Sequence, residues 1–367
     1  MTGIRRVSQL GTTGESTYVD GSIQAVDIAS NVITQDKLST DIPLSGMRNV
    51  LINGGMTVWQ RWVATSIDVS NGVTGYTADR WYLKPTGANM SAIRDTSVPT
   101  GSISQYSLAI TPNGVGGSTC LLGQRIEAAN VYALKGTVTF SAWVFNSTGA
   151  SITPSLLIGT PSAADNFTTV TNRLTQTLQA CDASVWTKVY YSVDISGYTN
   201  INNGLQVELQ TNGHTTYGKI VKVTEIQLEK NAQPTPFEQR PIGIELALCQ
   251  RYYWRSTSGL TTDGNSRHAH FRRLNAYQMI ATGHCSFPVP MRAEPSVSLY
   301  NGNGIGFVDA YGAGQESYVI ASAEGLSTFG LGMIVKYTNS GLGTTANFAG
   351  DPASYSYWMN IEASAEL

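Results

Sequence analysis

The sequence predicts an all-β protein, and three observations carry that expectation. Charged residues make up only 13 % of the 367 positions, against about 25 % in typical soluble chains, while Gly, Ser, Thr and Asn are abundant. Runs that alternate apolar and polar side chains recur, as in Thr137 to Phe145 (TVTFSAWVF), which is the period of a half-buried strand. Clusters of Gly, Asn, Pro and Ser separate these runs at hairpin spacing. The patterns divide the chain into an extended N-terminal segment (1–48), a jelly-roll β-sandwich (49–240) and a second, C-terminal β-sandwich-like domain (241–367).

The first part carries a ten-residue repeat, Asp20 to Ala29 (DGSIQAVDIA) followed by Ser30 to Ser39 (SNVITQDKLS), which sets Ile23, Ile28, Ile33 and Leu38 five residues apart. Five is the period of neither a helix nor a strand. One apolar residue in five cannot build a private core, so this ridge needs partner chains or a neighbouring surface to cover it.

In the second part, Thr137 to Phe145 places Val138, Phe140, Ala142 and Val144 on one face, with Phe145 breaking the order. Trp186 to Ile195, Gly204 to Leu209 and Lys219 to Glu229 follow as further strands. Trp59, Trp81, Trp143 and Trp186 fall in stretches that read as sandwich core. Pro234, Pro236 and Pro241 then deny the connector both ladder donors and a continuous helix. Ile244, Ala247, Leu248 and Tyr252 recur at helical spacing and predict one short helix packed on a core. In the third part the expected strands are Cys249 to Arg255, Ala276 to Phe287, Ser296 to Tyr300, Ser317 to Ala321, Leu331 to Tyr337 and Tyr355 to Ala363. The last, with Tyr355 and Tyr357 on one face and Trp358 on the other, implies that one face is core and the other meets a neighbouring chain.

The wording of Glu225 to Arg255 (EIQLEKNAQPTPFEQRPIGIELALCQRYYWR) resembles a joint of bacteriophage tail-fibre and minor tail proteins, in which a TPFE stretch precedes an ELALCQRYY run. Asn49 to Arg61 (NVLINGGMTVWQR) and Tyr76 to Trp81 (YTADRW) resemble the opening strands of that family's sandwich domain, and Phe287 to Pro295 (FPVPMRAEP) a motif of its distal domain. The strand order, with an SxW strand in the middle and a final KVxxIQLE strand, resembles carbohydrate-binding modules of the galactose-binding type. These resemblances imply a homotrimeric virion component, docked through its N-terminal segment to other tail or baseplate proteins and binding a host cell-surface polysaccharide without catalysis. Structural virion protein and polysaccharide depolymerase are the alternatives.

The remaining chemistry narrows the choice. A net charge of −2 and the lack of any Lys/Arg run argue against nucleic acid. No apolar run reaches the roughly 18 to 20 residues of a membrane span, and Met1 to Leu10 has no signal-peptide core, so synthesis in the host cytoplasm is expected. Cys120, Cys181, Cys249 and Cys285 form no CxxC pair and read as buried free thiols. Carboxylates such as Asp263 and Asp309 are scattered, and neither a GxSxG elbow nor a long β-helix repeat occurs. His268 and His270 point to one side of a strand, so a threefold axis would gather six imidazoles into a possible metal site. Arg267, Arg272 and Arg273 oppose it. No other cofactor is implied. For glycan stacking the distal candidates are Tyr253, Trp254, Tyr311, Tyr318, Tyr355 and Trp358.

Overall fold

The computed structural model describes residues 47–61, 66–114, 119–213, 217–256, 270–273, 279–301, 304–305, 309–311, 320–336, 356–358 and 360–367. The ten-residue repeat with Ile23, Ile28, Ile33 and Leu38, expected as an attachment segment, lies outside them. All described residues belong to one compact unit that begins at Ser45.

Twelve strands form two six-stranded antiparallel sheets. Sheet A has the order β1 (Ile67–Val69), β4 (Met90–Asp95), β5 (Ser107–Pro112), β12 (Val221–Glu229), β7 (Thr137–Asn146), β10 (Trp186–Asp194). Sheet B has the order β2 (Gly75–Tyr76), β3 (Tyr82–Thr86), β6 (Thr119–Glu127), β11 (Gly204–Gln210), β8 (Ser155–Ala163), β9 (Asn166–Thr177). The chain crosses between sheets at every step except β2–β3, β4–β5 and β8–β9, which is the jelly-roll arrangement that the alternating runs predict. Val138, Phe140, Ala142 and Val144 of β7 are buried against Leu205, Val207 and Leu209 of β11, and the two inner faces share one core. Trp59 and Trp81 are buried as expected. Trp143 and Trp186 are only half-buried.

The opening stretch is where the structure departs most from the sequence. Asn49 to Arg61, expected as a strand, is a turn-rich segment laid against β12, and it is buried along most of its length. Its backbone groups find side chains instead of a ladder. Gln124, at a core-facing position of β6, accepts from Ile52 N at 2.7 Å and donates to Ile52 O at 2.8 Å. Asn49 donates to Ile226 O at 3.0 Å and its carbonyl oxygen accepts from Leu51 N and Leu228 N. Asn53, at φ 59°, donates to Val58 O (2.8 Å) and Asp79 O (3.0 Å) and accepts from Val58 N (2.9 Å). β12 makes room with a bulge at Glu225, whose carboxylate accepts from Ile103 N and Ser104 N.

A four-residue helix α1 (Ala128–Val131) follows β6, and α2 (Ile242–Gln250) follows the proline connector, starting directly after Pro241 as a helix beginning there should. Its buried face overlaps the expected one in part, since Tyr252 is buried and Leu248 packs with it and Cys249 on a small core. Glu245 and Cys249 are buried, Ile244 is 40 % exposed, and Ala247 and Leu248 are half-buried. Glu245 is drawn inward because it accepts from Asn53 N and from Arg240 at 3.1 Å. Cys249 therefore belongs to a helix, and the strand expected over Cys249 to Arg255 shrinks to β13 (Tyr253–Arg255).

The C-terminal strands form a sheet of β13, β22 (Asn360–Ser364), β16 (Ser296–Asn301) and β17 (Gly304–Ile305), and a sheet of β14 (His270–Arg273), β15 (Met279–Ser286), β20 (Gly330–Lys336) and β19 (Ile320–Ser327). A two-stranded ladder joins β18 (Asp309–Tyr311) to β21 (Ser356–Trp358). The expected single strand Tyr355 to Ala363 is two strands, because β21 pairs with β18 whereas β22 pairs with β13 and β16. Cys120, Cys181 and Cys249 are free and buried, and burial pushes the Cys120 thiol up to about 12. The side chain of Cys285 lies outside the described residues.

Removing the Asn53 amide takes the partner from two buried main-chain groups, Asp79 O and Val58 N, each costing about 1–3 kcal/mol, and a left-handed φ favours Asn over larger residues. Asn53→Ala is expected to lower the unfolding free energy in urea by about 2–4 kcal/mol. A loss below about 0.5 kcal/mol, the range of an ordinary surface change, would refute the account of this segment.

Candidate functional site

Strand parity turns Trp143 and Phe145 of β7 away from the core, since Val138, Phe140, Ala142 and Val144 fill the inner face. The register of β7 with β10 then sets Trp186 opposite Phe145, Lys188 opposite Trp143 and Tyr190 opposite Ser141. On the other side of β7, Lys222 of β12 stands opposite Phe145. The result is an outward aromatic face on sheet A. Phe145 and Trp186 have ring centroids 5.5 Å apart at 48°, Trp143, Phe145 and Trp186 are half-buried, and Tyr190 is 41 % exposed.

Polar groups frame this face. Lys222 Nζ lies 5.7 Å from the Phe145 ring centroid and 2.9 Å from Asp95 Oδ1. Gln179 pairs with the main chain of Tyr190, accepting from its N at 2.8 Å and donating to its O at 3.2 Å, which occupies part of the edge of β10. The connector after β12 forms a wall: Thr139 Oγ1 donates to Asn231 O (2.7 Å), Ser192 Oγ to Ala232 O (2.9 Å), and Lys188 Nζ to Thr235 O (3.5 Å). Neighbouring strands lie about 4.8 Å apart and alternate residues about 6.8 Å apart along one strand. A flat ring ligand therefore meets successive aromatic side chains at steps close to its own size, beside an amide and an ion pair. Such a surface stacks and hydrogen-bonds; it has no pair of carboxylates flanking the rings among the described residues.

The sequence reading missed this face because it treated Trp143 and Trp186 as core. The signal was present in the parity of β7, where Phe145 continues the outward series instead of breaking the inward one.

The distal candidates fare differently. Tyr253 is buried, with the Arg61 guanidinium 3.6 Å over its ring centroid, and Trp254 is buried edge-on to Phe287 with centroids 5.5 Å apart. Neither ring offers a free face, so both are corrected from stacking platforms to packing groups of the joint. Tyr311 and Trp358 lie on the paired strands β18 and β21, with Asp309 opposite Trp358 and Tyr311 opposite Ser356. Tyr318 and Tyr355 lie outside the described residues. His270 opens β14 opposite Thr282, and His268 lies outside the described residues. Among the described residues no group of three or more His, Cys, Asp or Glu side chains is placed to hold a metal ion.

Tyr253 belongs to a buried ionic joint between the sandwich and the C-terminal strands. Arg61 pairs with Asp79 at 3.4 Å and with Glu366 at 3.1 Å. Arg80 also pairs with Glu366, and its guanidinium lies 3.4 Å over the Tyr252 ring. Gln60 Nε2 donates to Tyr253 O at 2.8 Å, and Arg251 grips Glu127 at 3.0 Å. Burial pushes Asp79 up to about 7, against the pull of Arg61 and of the hydrogen bond from Gln60 N.

No protein-family model matches the chain, and no curated protein matches it in sequence. Solved structures with partial likeness include a carbohydrate-binding module of the β-sandwich superfamily (15 % identity over 44 % of this chain and 63 % of that one, TM-score 0.32). Others are the enzymatically active domain of tailspike protein 4 of bacteriophage CBA120 (11 %, 43 % and 21 %, 0.30) and a C-terminal family 22 carbohydrate-binding module of Clostridium thermocellum (13 %, 43 % and 90 %, 0.30). The first two likenesses thus span less than two thirds of those chains. At these scores they carry no conclusion about ligand or partner.

The Asp79 shift has a sign. Its carboxyl binds a proton more tightly folded than unfolded, so its contribution to stability is full below about pH 4 and is lost as pH rises through about 7. Between about pH 4 and 7 the unfolding free energy is expected to fall by up to about 1.4 kcal/mol per pH unit through this group and to level off above that range, and Asp79→Asn to flatten that slope. An unchanged slope in the variant, followed by urea melts at fixed ionic strength, would count against a protonated Asp79.

Proposed function

We propose that this chain is a non-catalytic tail-fibre protein of a phage, and that it binds a host cell-surface glycan on the aromatic face of sheet A. The observation that carries the reading is the row formed by Trp186 and Phe145 with Trp143 beside it, outward-facing and half-buried on the sandwich and framed by Gln179, Lys222 and Asp95. Large rigid aromatic side chains with adjacent amides and hydroxyls are the groups that hold a saccharide ring. The tail-fibre assignment is supported by the sequence resemblance of the Glu225 to Arg255 joint. In this reading residues 1–48 dock the fibre to other tail or baseplate proteins, the ridge at Ile23, Ile28, Ile33 and Leu38 is covered by partner chains in a homotrimer, and the virion is the site of action. Several weak sites on one particle act together, so a shallow surface suffices.

Two measurements test this. The full chain is titrated with host envelope polysaccharide while tryptophan fluorescence is followed. Trp186→Ala and Trp143→Ala are each expected to weaken binding by about 10-fold, roughly 1.4 kcal/mol for one anchoring aromatic, with the melting temperature preserved. Equal affinity of the variants, or absence of binding, would leave a structural virion protein as the better reading, and release of new reducing ends would indicate a depolymerase. Light scattering addresses assembly: a mass three times that of the chain is expected, and a monomer at micromolar concentration would contradict the trimer.

A further inference from the structure

A second concave site lies on sheet B, at the outer edge where the hairpin of β8 and β9 meets the chain segment 365–367. It is a polar cleft of about 480 Å³ walled by Arg125 and Arg292, floored by Phe167 and rimmed by Asn166 and Thr168. That volume falls in the range of about 300–1,000 Å³ common to small-ligand sites. Its parts are held by the fold. The hairpin turns at Asp165, whose φ is 57°; Asp165 N donates to Asn203 O at 2.8 Å and Asp165 Oδ1 accepts from Ala128 N at 2.7 Å. The turn is thereby pinned to α1 and its carboxylate is occupied. Alternation along β9 then buries Phe167 and leaves Asn166 and Thr168 exposed. The Phe167 ring packs where a side chain on Gly204 would stand, and the φ of 129° at Gly204 suits glycine alone.

The two arginines are oriented from behind. Arg125 lies 5.6 Å from the Phe167 ring centroid and 5.0 Å from that of Tyr82, donates through Nε to Gln206 Oε1 at 3.2 Å, and donates to Leu367 O. Arg292 donates through Nε to Ala365 O at 2.9 Å, and its main-chain N donates to Arg251 O at 2.8 Å. The Nη groups of Arg292 have no hydrogen-bond acceptor among the described residues, and the side chain is half-exposed. The carboxylates nearby are engaged: Asp165 with α1, Glu366 with Arg61 and Arg80, and Glu127, which also feels the charge of Arg292, with Arg251. The cleft thus holds unspent guanidinium donors beside occupied acids.

We propose that this cleft binds the carboxylate of an acidic sugar residue, such as a hexuronic acid, with Arg292 as the planar two-pronged donor, Asn166 and Thr168 meeting ring hydroxyls, and Arg125 supplying the second positive charge. A planar fork suits a carboxylate, and the amide and hydroxyl on the rim suit a polyol. The site is separate from the aromatic face and does not depend on it.

The test uses the full chain, with D-glucuronate as probe, D-glucose as neutral control and inorganic phosphate as the competing anion, read by calorimetry and by saturation-transfer NMR. Glucuronate is expected to bind at least about 10-fold more tightly than glucose, with an affinity that falls as salt is raised. Arg292→Gln is expected to lower it by about 10-fold or more, a single charge-assisted contact being worth that much. Asn166→Ala and Thr168→Ala, both at exposed positions, should each lower it several-fold with the melting temperature unchanged. If Arg292→Gln does not fold, the Asn166→Ala, Thr168→Ala double variant decides. Equal binding of glucose and glucuronate, binding of phosphate without glucuronate, or affinity indifferent to these substitutions would overturn the proposal. Trp186→Ala should leave glucuronate binding intact, so failure of the aromatic-face reading and failure of this one are distinguishable.

Discussion

The structure rests on the satisfaction of one irregular buried segment. Asn49 to Arg61 runs along β12 with most of its residues buried and without a strand ladder, so its main-chain donors and acceptors need partners from elsewhere. They come from four places at once: Gln124 on β6, Glu245 on α2, Asp79 in the turn before β3, and Glu238 and Arg240 in the connector. A buried amide or carboxylate left unpaired costs more than a paired one contributes, so these elements are held to a single mutual placement. That explains why Gln124 stands at a core-facing position between Leu122 and Ile126, and why α2 turns a glutamate inward while Ile244 faces water.

The same segment makes the sandwich and the C-terminal strands one body. Arg61 at its end and Arg80 in the following turn reach Glu366, and the rings of Tyr252 and Tyr253 cover the two guanidiniums. Buried ion pairs of this kind contribute little net stability, because desolvation offsets the attraction, but they disfavour every arrangement in which one partner lacks the other. The joint therefore fixes orientation more than it adds free energy. Tyr253 and Trp254, attractive as ligand platforms from their residue type, are consumed in that work.

How much of this could be read from the chain follows from where each signal resides. β7 shows its inward face directly, because alternation is a local property, whereas in β12 the bulge at Glu225 shifts the inward series from Val221 and Val223 to Ile226 and Leu228. The proline-broken connector and the helix after Pro241 were equally plain. The irregular course of Asn49 to Arg61 and the inward Glu245 of α2 were not, since both depend on Gln124, Glu245 and Asp79, which lie 19 to 192 residues from the groups they satisfy. The aromatic face was half legible: parity gives Trp143 and Phe145 the outer side, but only the register of β7 with β10 brings Trp186 next to Phe145.

The division of labour between the two sheets has a physical basis. Sheet A keeps a half-buried aromatic outward face because the connector packs over its Thr139 and Ser192 end and reaches towards Trp143 only through Lys188. Sheet B carries polar groups outward at its centre, where the Tyr82 ring lies across Gly123 and donates to Glu208 at 2.7 Å. That hydrogen bond holds Tyr82 under Arg125, and Arg125 in turn lies over Phe167. The cleft at the edge of sheet B is thus supported by packing that begins in the middle of the sheet. Both surfaces are mounted on strands held by their own ladders, β7 with β10 and β8 with β9, so a ligand on either face meets groups that need little reordering on binding.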